Sequence, residues 1–240
     1  LEKLLSKELG IPVKVSVSTN YNTIVEAMKS KKVDVGFLPP TAYTLAHDQK
    51  AADLLLQAQR FGVKEDGSAS KELVDSYKSE ILVKKESKIK SLKDLKGKKI
   101  ALQDVTSTAG YTFPLAMLKN EAGINATKDM KIVNVKGHDQ AVISLLNGDV
   151  DAAAVFNDAR NTVKKDQPNV FKDTRILKLT QAIPNDTISV RPDMDKDFQE
   201  KLKKAFIDIA KSKEGHKIIS EVYSHEGYTE TKDSNFDIVR

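Results

Sequence analysis

The chain has 240 residues, 40% hydrophobic and 30% charged, with 39 Lys and Arg against 34 Asp and Glu for a net charge of +5. That apolar share can build a core, which excludes a wholly disordered chain, and the absence of Cys excludes a disulfide framework, a thiolate zinc site and a thiol nucleophile. No apolar run approaches the ~18 residues of a membrane-spanning helix, and the Lys residues are interleaved with acids, as in Lys84-Lys85-Glu86, with no Trp, so no aromatic-lined basic groove for nucleic acid is expected.

Leu1, Leu4, Leu5 and Leu9 share one face of a predicted helix that stops at Gly10. Val13, Val15 and Val17 alternate with polar residues and predict a strand. Ile24, Val25 and Met28 have helical spacing within Asn22 to Lys29. Val33 to Leu38 predicts a strand stopped by Pro39-Pro40, and a helix restarts over Thr41 to His47. Asp53 to Gln59 predicts a strand, the polar run Lys64 to Ser70 a hairpin tip, and Tyr77 to Lys84 a returning strand. A short helix from Ser91 stops at Gly97, before a strand over Lys99 to Leu102. Beyond the loop Gln103 to Thr106, a helix runs through Leu118. Strands at Lys131 to Val135 and Asp151 to Phe156 then alternate with helices at Gln140 to Leu146 and Ala159 to Lys165. Strands follow at Arg175 to Leu179 and Thr187 to Val190. Asp195 to Tyr223 is helical with a break near Glu214-Gly215, and Thr229 to Arg240 is expected to extend over the surface.

Repeated strand–helix–strand units predict parallel sheets with helices on both faces. Three of them, between about residues 98 and 180, predict a domain inserted into another. The expected lobes are 1–83 with 187–240, and 84–186, joined by crossing strands at Ile81-Leu82-Val83 and Ile188-Ser189-Val190 that flank a hinge and a cleft.

The segment Gln103 to Leu115 is the most informative. A strand ends, Thr106, Ser107 and Thr108 supply hydroxyls, Ala109 and Gly110 leave room for a ligand, and an apolar helix begins. Ligands of open α/β sheets bind at such turns, and a helix start favours an anion. The same residues also suit an ordinary helix cap. The Gly-x4-Gly-Lys-Ser/Thr spacing of a phosphate-binding loop is absent. Gly137-His138, Asn157-Asp158, Asn185-Asp186, Thr19-Asn20-Tyr21 and Tyr77 stand at other strand ends, where they could converge on the same cleft. Each also has a plain structural use: His138 and Asp158 as caps, Tyr21 and Tyr77 as packing residues. His47, His216 and His225 are too scattered for a metal site, and no cofactor is expected.

Three runs carry a family likeness. Asp94-Leu95-Lys96-Gly97-Lys98-Lys99-Ile100-Ala101 with Ser107-Thr108-Ala109-Gly110 and Pro114 is the first. Thr23 to Met28 followed by Val33-Asp34-Val35-Gly36-Phe37, and His138 with Leu145 to Ala153, are the others. From about residue 9 to residue 223 the chain resembles the phosphate/phosphite/phosphonate-binding proteins of ABC transporters. The resemblance implies a two-lobed type II periplasmic-binding-protein fold, α/β, that closes on its ligand and catalyses no reaction. It further implies that Ser107, Thr108 and the Ala109 N–H hold phosphoryl oxygens, that Tyr21, Tyr77 and His138 donate around them, that Asp186 accepts a ligand proton, and that Asp158 faces an organic tail. Ala109 stands where the family often has a third hydroxyl. The family also begins with a strand ahead of the first helix, so a trimmed start is expected. The implied setting is extracytoplasmic, periplasmic or lipid-anchored, with a monomeric chain delivering to a permease. A solute-binding protein for a sulfonate or thiamine precursor, a hydrolase using Ser107, His138 and Asp186, and a ligand-sensing regulatory domain are the alternatives. No Gly-x-Ser-x-Gly elbow supports the hydrolase.

Overall fold

The computed structural model describes residues 1–16, 21–64, 67–105 and 107–239, without the side chains of Tyr21 and Ala69. Along the chain run α1 (Glu2–Leu9), α2 (Tyr21–Lys29), β1 (Val35–Leu38), α3 (Pro40–Asp48), β2 (Asp53–Val63), β3 (Ala69–Val74), β4 (Ser76–Tyr77) and β5 (Ser79–Lys84). Then come β6 (Lys99–Leu102), α4 (Phe113–Ala122), α5 (Ala126–Asp129), β7 (Lys131–Asn134), α6 (His138–Leu146) and β8 (Ala152–Phe156). The chain finishes with α7 (Val170–Asp173), β9 (Thr174–Leu179), β10 (Ile183–Pro184), β11 (Thr187–Val190), α8 (Lys196–Lys211), α9 (Lys213–Tyr223) and β12 (Gly227–Thr229).

The chain forms two compact units. The first holds Leu1–Gly62, Lys71–Ser76 and Pro184–Arg240, and the second Val63–Ser70 and Tyr77–Ile183. The crossing expected at 83/84 therefore falls at 76/77. Ile81, Leu82 and Val83 belong to the middle of the second unit's sheet, whose order is β7-β6-β8-β5-β9.

In that sheet β6 runs parallel to β7 and to β8, while β5 is antiparallel to β8 and β9. Both faces of its central strands β6, β8 and β5 are buried, so their middles read as continuous apolar runs. Ile81 and Val83 face a core with Leu118 of α4, and Leu82 faces the opposite core with Leu145 of α6. The parallel pairings Leu102↔Asn134 and Ala101↔Ala153 bring the C-terminal ends of β6, β7 and β8 to one edge.

The first unit departs from the expected parallel sheet. Its order is β1-β11-β2-β12, and the ladders β1–β11, β11–β2 and β2–β12 are antiparallel. Leu5, Leu56, Ile188, Phe206 and Ile219 form one core, and Met28, Tyr43 and Phe236 belong to another.

Several local expectations need correction. No strand forms over Val13 to Ser16, because Val13 N–H donates to Ser6 Oγ at 3.0 Å and Val15 N–H to Glu2 Oε1 at 2.6 Å. Val17 lies outside the described residues, as do Glu65 and Asp66 of the hairpin tip, Thr106 of the loop, and Arg240. The helix expected over 159–165 is a 3-10 turn, Ala159–Thr162. The break between α8 and α9 falls at Ser212, whose side chain caps α9 by accepting from Gly215 N–H. The tail does not trail over the surface: β12 joins the first sheet, and a 3-10 helix over Asp233–Val239 buries Phe236.

Candidate functional site

Ser107 opens a π-helical turn, Thr108–Thr112, that continues into α4. Its hydroxyl accepts the Gly110 N–H at 3.0 Å, and its carbonyl accepts the Thr112 N–H at 3.1 Å. Since the hydroxyl oxygen serves as acceptor there, its own proton is a donor for a further group. Thr108, Ala109 and Gly110 are buried. The opening N–H groups of a helix precede its hydrogen-bond ladder, and its dipole is positive at this end.

Three contacts tie this turn to the sheet edge. Ser79 Oγ, at the start of β5, lies 2.6 Å from Ala109 O and 3.1 Å from Val155 O, sharing its proton between them. Gln103 N–H donates to Gly110 O at 3.0 Å. The Gln103 side chain lies against Gly110: a Cβ there would stand 2.5 Å from Gln103 Nε2 and 2.7 Å from Ser107 Oγ.

His138 is the first residue of α6, half-buried and edge-on to Phe156 at 4.6 Å. The Phe156 N–H donates to His138 Nδ1 at 3.1 Å. A backbone N–H needs an acceptor, so Nδ1 carries no proton and Nε2 does. The ring is thereby set as a neutral donor. Tyr77, half-buried, lies two residues before Ser79. The second unit thus brings Ser107, Thr108, Ala109, His138, Asp158 and Tyr77 to one end of its sheet.

Asp158 is deployed differently from the sequence expectation. Its side chain is fully buried. It accepts the Arg160 backbone N–H at 3.0 Å and holds the Arg160 guanidinium through Nε at 2.9 Å and Nη2 at 2.6 Å. Both carboxylate oxygens are engaged from within, so an ammonium on a ligand would have to displace Arg160. Glu80, also fully buried, borders this pair. Burial, with the hydrogen bond to Asp158 and the Asp158 charge, pushes its carboxyl up to about 10. Glu80 is therefore a neutral acid at pH 7.

Asp186 and Tyr21 belong to the first unit. Tyr21 opens α2, and its side chain, like Thr19 and Asn20, lies outside the described residues. Asp186 Oδ2 stands 3.9 Å from Arg60 Nη2 and 3.7 Å from His225 Nε2. Desolvation pushes its carboxyl up, but the His225 hydrogen bond and the Arg60 and His225 charges prevail and hold it below the usual carboxylate range. His225 is buried, shares a 2.9 Å hydrogen bond with Tyr228 through Nδ1, and stacks on Tyr223. Burial also raises the Tyr228 phenol, which stays protonated. Arg60 and His225 were missed in the sequence because nothing near them in the chain marks them. They reach Asp186 through the strand partners of β2, which pairs with both β11 and β12.

The family described as "ABC transporter, phosphonate, periplasmic substrate-binding protein" matches residues 1–236. The chain belongs to this family. Among similar proteins, the "Phosphate-import protein PhnD" of Mycolicibacterium smegmatis (strain ATCC 700084 / mc(2)155) is 32% identical over 164 residues, covering 65% of this chain and 49% of that protein. The "Phosphonates-binding periplasmic protein" of Escherichia coli (strain K12) is 26% identical over 214 residues, covering 88% of this chain and 60% of that protein. The chain thus spans between 49% and 60% of the length of these relatives. A solved structure of PhnD1 from Prochlorococcus marinus (MIT 9301), in complex with methylphosphonate, superposes with a TM-score of 0.76 at 20% identity. It covers 99% of this chain and 87% of that one. The likeness establishes the type II periplasmic-binding-protein fold. The phosphonate-binding family is one of transport binding proteins, and no described helix is long and apolar enough to cross a membrane.

Proposed function

We propose that this chain is the extracytoplasmic ligand-binding component of an ABC importer for a phosphonate, phosphite or phosphate, which it hands to a permease. The observation that carries the reading is the second unit's sheet edge, which bears neutral donors of three kinds: the Ser107 hydroxyl, the helix-opening amides that follow it, and the His138 imidazole with its proton fixed on Nε2. Burying an anion is costly unless its oxygens gain donors. Fixed dipoles in a site shielded from water supply them. Thr108, Ala109 and Tyr77 take the remaining donor roles. Asp186 is assigned to the ligand's protonated oxygen, and Tyr21 to a further one. Asp158 takes a supporting part in this reading, since Arg160 occupies its oxygens.

The test is a thermal-shift screen, followed by calorimetry, with methylphosphonate, aminoethylphosphonate, phosphite, phosphate and taurine. Stabilisation by at least one phosphorus oxyanion and none by taurine is expected. Taurine as the preferred ligand, or no response to any phosphorus oxyanion, refutes the assignment. Because Asp158 is already paired, aminoethylphosphonate should gain nothing over methylphosphonate.

A further inference from the structure

One side chain beside the turn has a buried amide nitrogen with no structural partner among the described residues. Gln103 follows β6, and its Nε2 is cut off from solvent yet finds no acceptor among the described residues. A buried donor left without a partner is unfavourable, and native structures rarely keep one without a use. The amide could have pointed outward at little expense, because the residue itself is only part-buried and its neighbours Asp104 and Val105 are exposed. Instead it is laid against Gly110, in the space a Cβ would fill, and Ser107 Oγ borders that same space. Gly110 is what admits it, since any larger residue would meet both Gln103 Nε2 and Ser107 Oγ. A glutamine amide nitrogen can only donate. Its natural complement is an acceptor that arrives from outside the protein.

We infer that Gln103 Nε2 is a further donor to the bound oxyanion, a specificity-determining group that works beside Ser107 and Gly110. The assignment rests on the reading of this turn as the anion site. It makes the turn able to count acceptor oxygens. A phosphate or phosphonate oxygen satisfies the amide, whereas a ligand that presents a methyl or other apolar group there leaves it stranded, at the same penalty as in the unliganded protein.

The experiment compares the unmodified chain with Gln103→Leu and Gln103→Glu. Each is titrated calorimetrically with methylphosphonate and with inorganic phosphate, and each is melted without ligand. Gln103→Leu keeps the bulk over Gly110 and removes the stranded donor. Its ligand-free melting temperature should hold or rise, while affinity falls about tenfold or more, the usual worth of a hydrogen bond to a charged acceptor. Gln103→Glu should weaken binding further at neutral pH and regain part of it below about pH 5, where the introduced carboxyl takes up a proton. Unchanged affinity in Gln103→Leu overturns the assignment while leaving the turn as the anion site. So does a loss of affinity that merely tracks a lower melting temperature in both variants, since that describes a structural residue. If the unmodified chain binds neither ligand, nor phosphite, the reading of the turn fails and takes this assignment with it.

Discussion

The buried carboxyl of Glu80 links a single side chain to the pH dependence of the whole protein. Its pKa is raised from 4.5 to about 10 on folding, mainly by burial. Between those values the folded state keeps a proton that the unfolded chain has released. The stabilising proton is fully present below the unfolded value and is lost as pH rises through the folded one. Stability should therefore fall across this window, by up to ~1.4 kcal/mol per pH unit from this group. Glu80→Gln keeps an N–H donor for Asp158 and carries no ionisable proton. Denaturant unfolding between pH 5 and 9 should show the variant more stable at the alkaline end, with a shallower slope. Identical slopes would mean that Glu80 does not titrate as described. Asp186 behaves in the opposite sense. Its depressed pKa keeps it ionised at neutral pH, so a ligand that binds against it must bring its own proton. Asp186→Asn should erase discrimination between phosphite or phosphonate and sulfate in calorimetry, and preserved discrimination would mean that Asp186 does not read the ligand's proton. At this scale Ser107 and His138 were legible in the sequence because both lie at helix starts that follow strands. The fixed Nδ1 of His138 was not, because it depends on a backbone N–H of β8. The closure of Asp158 by Arg160 was equally invisible, since a carboxylate and a guanidinium two positions apart more often point into water.

Among the elements, the turn into α4 has little room for added bulk. Gly110→Ala would push a Cβ onto Ser107 Oγ, whose position is already fixed by the Gly110 N–H. A lowered melting temperature and at least tenfold weaker phosphonate binding are expected. A variant that binds as the parent does would show that the turn yields freely. The C-terminal 3-10 helix is the other telling element. Phe236 is fully buried against Tyr43, with ring centroids 5.0 Å apart, and the Tyr43 O–H donates to Asp233 at 2.6 Å. Phe236→Ala should destabilise the protein by about 3–5 kcal/mol in chemical denaturation. A change below about 1 kcal/mol would place the tail outside the core. The sequence reading missed this element because one Phe among polar residues carries no periodicity. Where period and punctuation agreed, as at α1 with its Gly10 stop at φ 70° or at β5 and β8, expectation and structure coincide. Where they competed, side chains decided: Ser6 and Glu2 took the backbone donors that the Val13 strand needed.

Two units could be read from the alternation of strands and helices, but not the order of strands within them. Strand order depends on contacts remote in sequence, such as β11 lying between β1 and β2. The apolar runs of Ile81 to Val83 fit a crossing strand and a sheet centre equally well, which is why the boundary was placed late. If the chain binds as proposed, ligand at a hundredfold excess over Kd should stabilise it by ~2.7 kcal/mol, read as a concentration-dependent rise in melting temperature. A melting temperature indifferent to every phosphorus oxyanion would contradict that linkage. The imidazole tautomer set by the Phe156 N–H has an environmental consequence as well. At the second unit's turn the proposed donors are uncharged and act at touching range, so no ion pair there is open to loosening by dissolved salt. Screening by mobile ions acts over about 8 Å at physiological strength and weakens attraction between separated charges far more than contact between a dipole and an oxygen. If the chain binds as proposed, the share of affinity that these donors supply should change little with ionic strength.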